Sequence, residues 1–158
     1  MQSGESSPLN FIQAIHKRGV EYLLVGRRAV IAYGGPMQTM DYDLYVNNSR
    51  ENIHLLLSIA QDFGLYPSIP EAEIVKTFKF KLENDVSVDI ICFKKFSTGD
   101  GKSISFSEVY ERKQVLKGET DFAVNVPCID DMIAMKKLRN SPKDREDIKY
   151  LKAIKKNF

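Results

Sequence analysis

Tryptophan is absent from these 158 residues, and histidine and cysteine each occur only twice. So sparse a supply of His and Cys leaves a zinc centre without a ligand set. His16 and His54 fall on predicted helices away from any acid cluster, so Ser-His-Asp and Cys-His catalysis have no support. Cys92 and Cys128 lie far apart in apolar contexts and read as reduced core thiols of a cytoplasmic protein. No apolar run approaches the roughly 20 residues that cross a bilayer, so no membrane association is expected. The start, MQSGESSPLN, lacks the basic and apolar regions of a signal peptide. Net charge is only +2, from 23 Lys and Arg against 21 Asp and Glu, too little to argue for nucleic acid by itself.

The composition that remains, 43% hydrophobic and 28% charged, suits a globular domain with its own core. A tail over residues 1–7 and one domain over 8–158 are expected, with residues 129–158 forming a C-terminal helical pair. Ser7-Pro8 has the chemistry of a helix start, and the helix should run from about Pro8 to Arg18, closed by Gly19. Tyr22 to Val25 reads as a buried strand. Gly26 then turns the chain into a short helix, about Arg27 to Tyr33, which Gly34-Gly35-Pro36 breaks. Thr39 to Val46 is the second strand. Asn47-Asn48-Ser49 caps a helix over about Arg50 to Phe63, whose Ile53, Leu56, Leu57 and Ala60 form one buried stripe. Thr77 to Leu82 and Val86 to Phe93 read as an antiparallel hairpin. A polar loop covers 94–104, and a helical turn or two covers Phe106 to Arg112. Short strands flank Gly118. Helices over about Asp130 to Arg139 and Pro142 to Lys155 end the chain. Strands and helices in this order imply an α/β or α+β layer fold.

The most informative segment is Leu24 to Val46. Strand side chains alternate faces, so Asp41 and Asp43 should point the same way, with Tyr42 and Leu44 turned inward. Adjacent carboxylates repel, and a divalent cation is the commonest reason to tolerate that. Asp89 lies in the apolar strand Val86 to Ile91, where a lone carboxylate is rare. If that strand runs beside the second, Asp41, Asp43 and Asp89 make an oxygen cage suited to Mg²⁺ or Mn²⁺. Otherwise Asp41 and Asp43 mark a strand start and Asp89 is a hydrogen-bonded strand residue. Gly26, between strand and helix, would direct backbone N–H groups toward phosphate.

This arrangement resembles the nucleotidyltransferase superfamily with the polymerase-beta-like core. It is similar above all to small prokaryotic members: minimal nucleotidyltransferases and the toxins of abortive-infection systems. Their pattern is a Gly-Gly or Gly-Ser turn, a short helix, D-x-D on the next strand and a third aspartate on a later strand. The resemblance covers residues 20–93 and extends more loosely to Asp130–Leu151. It implies an α+β fold with a mixed sheet packed against helices and a helical C-terminal end. It implies Asp41, Asp43 and Asp89 as catalytic metal ligands, Asp89 acting also on the nucleophile's side. Gly26 and Arg27 would cradle the phosphates of a nucleoside triphosphate, ATP or another, the base being left open. The acceptor hydroxyl, on tRNA, a protein or a small molecule, stays open, as do a toxin-antitoxin setting and oligomerisation. The sequence departs from the family's pattern at Arg27, where relatives carry Gly or Ser, and at Gln38, where toxin-like relatives often carry Arg. These support a second reading: a nucleotidyltransferase-fold module that binds nucleotide, RNA or a protein without turnover.

Basic residues outnumber acids between Lys136 and Lys156, as a solvated face or a phosphate patch. Lys136 falls within the apolar stripe of its helix, beside Met132 and Ile133. It needs an anion or must snorkel, and the family's late lysine implies a triphosphate. Asp144, three residues after Ser141, reads either as a capping carboxylate or as the partner of Lys136 or Arg27. Asp130-Asp131 reads as a helix N-cap pair.

Overall fold

The computed structural model describes residues 7–98, 100–118 and 122–157. The expected tail therefore lies, over residues 1–6, outside the described residues. The chain runs through α1 (Pro8–Lys17), β1 (Tyr22–Val25), α2 (Gly26–Ala32), β2 (Asp43–Val46), α3 (Arg50–Asp62), β3 (Tyr66–Pro67), α4 (Glu71–Ile74), β4 (Lys79–Glu83) and β5 (Ser87–Ile91). It continues through β6 (Lys95–Ser97), β7 (Ser103–Ser105), α5 (Phe106–Glu111), β8 (Gln114–Lys117), β9 (Ala123–Val126), α6 (Ile129–Arg139) and α7 (Pro142–Lys156). This is a mixed sheet with helices packed on it and a helical C-terminal end.

Local chemistry starts the helices where the sequence places them. Ser7 Oγ accepts from the Leu9 N–H ahead of Pro8, and Ser49 Oγ accepts from the Asn52 N–H. At α7, Ser141 and Asp144 form a reciprocal capping box with Pro142 between them.

The main sheet has the order β1-β2-β5-β4-β3. Only the β2–β5 pair is parallel; the others are antiparallel. Alternation divides the sheet into two faces. Leu24, Leu44, Ile90, Phe80 and Leu82 enter the larger core, together with Phe11 and Ile15 of α1 and Leu56 and Ala60 of α3. Leu23, Val25 and Tyr45 point the other way and meet Phe96, Phe106 and Val109 in a smaller cluster. The acidic side chains stand on this second face.

Three expectations need correction. Strand β2 begins at Asp43, not Thr39. Its antiparallel partner stops at Val25, opposite Asp43, because Gly26 turns away into α2. The segment before Asp43 is held instead by Arg28, which donates to the Thr39 and Asp41 carbonyls and lies over the Tyr42 ring. The loop expected over 94–104 contains the β6–β7 hairpin, pairing Phe96 with Ile104. Asp130 and Asp131 do not cap α6, whose N-cap is Cys128. Asp131 takes a two-pronged bond from Arg112, and Asp130 pairs with Lys155.

Candidate functional site

One cross-strand row builds the centre of the site. Val25 pairs with Asp43, Asp43 with Asp89, and Asp89 with Lys81. All four lie at one level of the sheet, so their side chains share a face. Asp43 and Asp89, distant in sequence, come within side-chain hydrogen-bonding reach. Lys81 Nζ lies 3.1 Å from Asp89 Oδ1, and its ammonium is held above its ordinary pKa by that bond.

Asp41 is exposed and precedes the strand. Its charge reaches both Asp43 and Lys81, so it faces the same site from the rim. Two of the three expected carboxylates are thus in contact and the third stands off. Among the described residues, no group of three or more His, Cys, Asp or Glu side chains is arranged to hold a metal ion. The Asp43–Asp89 donor set still fits Mg²⁺, which is ordinarily held by one or two carboxylates, with water and substrate phosphate completing its shell.

Gly26 has φ +71°, and a Cβ placed on it would lie 2.5 Å from Asp43 Oδ2. Its missing side chain makes room for the Asp43 carboxylate. That is a different reason for the glycine from the phosphate approach that the sequence suggests.

Burial first, then the charge of Asp89 and a hydrogen bond with it, then Asp41, push the Asp43 carboxyl up to about 6; Arg139 pulls the other way. A carboxyl raised on folding retains its proton in the native state while the unfolded chain releases it. Without metal, stability from this group is therefore lost as pH climbs from about 4 through about 6. Asp43→Asn, measured in EDTA, should match the wild type near pH 4. At pH 7.5 it should exceed it by on the order of 1 kcal/mol, after allowance for solvent screening. Denaturant titration at both pH values checks this; no gain at pH 7.5 would contradict the crowded-carboxylate reading.

The two cations expected at phosphate are both engaged elsewhere. Arg27 donates through Nε to Asp147 Oδ1 at 3.1 Å and through its guanidinium to Glu146, both on α7. Lys136 is buried, with Nζ 2.9 Å from Asp147 Oδ2 and 3.8 Å from Asp144 Oδ1. The lysine on the core stripe has its anion, and that anion is Asp147. Asp144 serves both readings offered for it, capping α7 and facing Lys136 and Arg139. Burial raises its carboxyl, but the Ser141 hydrogen bonds and the charges of Arg139 and Lys136 outweigh that and hold it below its usual value.

The sequence offers Arg139 only as an ordinary surface residue on the flank of α6, and marks neither Lys81 nor Asp147. Alternation puts Lys81 opposite Phe80 and Leu82, but only the strand register sets it against Asp89. Asp147 had a readable signal, since it lies beside Ile148 and three residues after Asp144 on the inward stripe of α7.

Beside Asp43 opens a cleft of about 490 Å³, walled by Phe78, Phe93, Phe96, Met135 and Leu138, with Lys95 and Arg139 also lining it. Arg139 is 70% exposed. Its charge acts on Asp43.

No protein-family model matches the sequence, and no curated protein matches it. Solved structures do. A candidate nucleotidyltransferase from Thermotoga maritima aligns over 91% of this chain and 89% of its own, at 15% identity and a TM-score of 0.62. The lincosamide antibiotic adenylyltransferase LnuA, solved with lincomycin, aligns over 98% of both chains at 16% identity and a TM-score of 0.63. The antibiotic-resistance factor ANT(2'')-Ia aligns over 96% of this chain and 84% of its own, at 15% identity and a TM-score of 0.61. The chain has the nucleotidyltransferase fold.

Proposed function

We propose that this chain transfers a nucleoside monophosphate from a nucleoside triphosphate to a hydroxyl acceptor. The observation that carries the reading is the Asp43–Asp89 contact across the parallel β2–β5 pair, in a fold shared with adenylyltransferases. A divalent cation, Mg²⁺ or Mn²⁺, would be held by Asp43 and Asp89, with Asp41 at the rim. When bound it would neutralise and orient the phosphates. Asp89, 40% exposed at the side chain, would take the acceptor hydroxyl's proton as the acceptor oxygen bonds to the α-phosphorus, and the bond from that phosphorus to the bridging oxygen would break with its electron pair leaving on pyrophosphate. Arg139, exposed in the cleft beside Asp43, is the cation best placed for the triphosphate. Lys136 lends charge from behind. Arg27, expected at phosphate, instead fixes α2 to α7.

The cleft beside Asp43 is the natural seat for the acceptor. ANT(2'')-Ia has been solved with adenylyl-2''-tobramycin. The cleft here has apolar walls with Lys95, Lys136 and Arg139 beside the carboxylates of Asp43 and Asp144. Its apolar walls suit a hydroxyl acceptor with an apolar face, whether a small molecule or part of an RNA or protein. Among the described residues no helix is long and apolar enough to cross a membrane. A cytoplasmic setting, including a toxin-antitoxin pair, accords with the reduced thiols and the resemblance.

The test is direct. Each α-labelled NTP is incubated with the chain, Mg²⁺ or Mn²⁺, and pools of RNA, protein and small hydroxyl compounds. Metal-dependent pyrophosphate release with label transfer, and metal-dependent thermal stabilisation by NTP, are expected. RNA binding with a steep salt slope, no metal dependence and no label transfer would instead favour the non-catalytic module, which the engaged Arg27 and Gln38 also accommodate.

A further inference from the structure

Resting on the reading of Asp43 and Asp89 as the cation's ligands, we infer that Lys81 is a built-in counter-ion that occupies Asp89 until a divalent cation displaces it. Lys81 thereby weakens metal binding in the free protein. The fold fixes where Lys81 stands. Phe80 and Leu82, its neighbours on β4, are buried in the main core, so strand alternation delivers Lys81 to the acidic face. Its main-chain N–H is held by Ser68 Oγ at 3.0 Å, and it pairs in register with Asp89.

The ammonium itself is not fixed. The Lys81 side chain is 55% exposed and touches Asp89 Oδ1 at 3.1 Å. Asp41 also acts on it through charge. One ammonium thus partly neutralises the acidic face that a cation would use. A divalent ion on Asp89 would lie within a few ångströms of that ammonium, and like charges at such range repel. The ammonium on Asp89 Oδ1 would therefore oppose loading for as long as it stays there. Exposed lysine–carboxylate pairs are weak, so displacement is feasible but lowers the apparent metal affinity.

The experiment titrates Mn²⁺ into the full chain and follows free Mn²⁺ by electron paramagnetic resonance, without nucleotide. Lys81→Met removes the charge and keeps the stem length; Lys81→Arg keeps the charge. Circular dichroism confirms that each variant folds. Lys81→Met should bind Mn²⁺ about three- to tenfold more tightly, and Lys81→Arg should bind within twofold of the wild type. Adding Asp89→Asn should erase the methionine variant's gain. Unchanged or weaker binding in Lys81→Met, with binding still sensitive to Asp43→Asn, overturns the counter-ion role alone. If no variant, nor the wild type, shows Mn²⁺ binding that depends on Asp43, the carboxylate pair is not a cation site and the reading beneath this inference fails.

Discussion

Asp89→Asn is expected to cut nucleotidyl transfer by roughly 10²–10⁴-fold, the range attached to loss of a general base, while leaving the chain folded. Asparagine keeps the shape and the main-chain pairing with Asp43 and Lys81. The partly exposed site tolerates the change, and the lost ion pair to Lys81 is a solvent-facing one of small structural value. The loss should appear in kcat for pyrophosphate release, with NTP binding weakened far less because Arg139 and the cleft remain. Asp41→Asn, at the exposed rim, should cost much less, about tenfold. The ratio between the two variants separates a residue at the centre of the site, ligand and base together, from one that only adds field at the rim. Activity in Asp89→Asn within tenfold of the wild type would remove Asp89 from the chemistry and assign the transfer to other groups.

Local chemistry made the elements readable. The caps at Ser7, Ser49 and Ser141 and the stripe of α3 each depend on neighbours in sequence, and each lies where that chemistry puts it, while the expected hairpin forms over the shorter strands Lys79–Glu83 and Ser87–Ile91. The short β6–β7 hairpin escaped because three-residue strands carry too little alternation to outweigh a polar, glycine-bearing context.

The site was legible by half. The adjacency of Asp43 and Asp89 could be read as a condition on strand order, and the sheet meets that condition. What could not be read were partnerships that tertiary packing alone creates. Arg27 reaches Asp147 across most of the chain because α2 packs on α7. Lys81 meets Asp89 through a register that alternation constrains only to the face. Gly26 carries its meaning in the Asp43 carboxylate resting on it, which no local pattern announces. A glycine that ends a strand reads the same whether its space is meant for a phosphate or for a neighbouring side chain.

Asp147 is where the C-terminal helices gain their hold on the site, and its replacement should have the largest effect on stability. Its side chain is 1% exposed, with Arg27 Nε on one oxygen and Lys136 Nζ on the other. Asp147→Ala leaves Lys136 buried against Asp144 alone at 3.8 Å, and removing one partner of a buried pair costs about 3–5 kcal/mol. For a domain of this size that corresponds to a fall in Tm of roughly 10 °C. Glu146→Ala breaks the other contact of Arg27, but the Glu146 side chain is already 54% exposed, so its loss should cost about 1 kcal/mol or less. The contrast matters because both variants disturb the same arginine. If Asp147→Ala melts no lower than Glu146→Ala, the α2–α6–α7 junction is not held by this buried carboxylate. If it melts far lower, the junction that carries Arg27 and Lys136 depends on a residue that never touches the reacting groups. Double replacement of Asp147 and Lys136 by Asn and Met should then recover part of the loss, since removing both charges spares the lysine its unpaired burial.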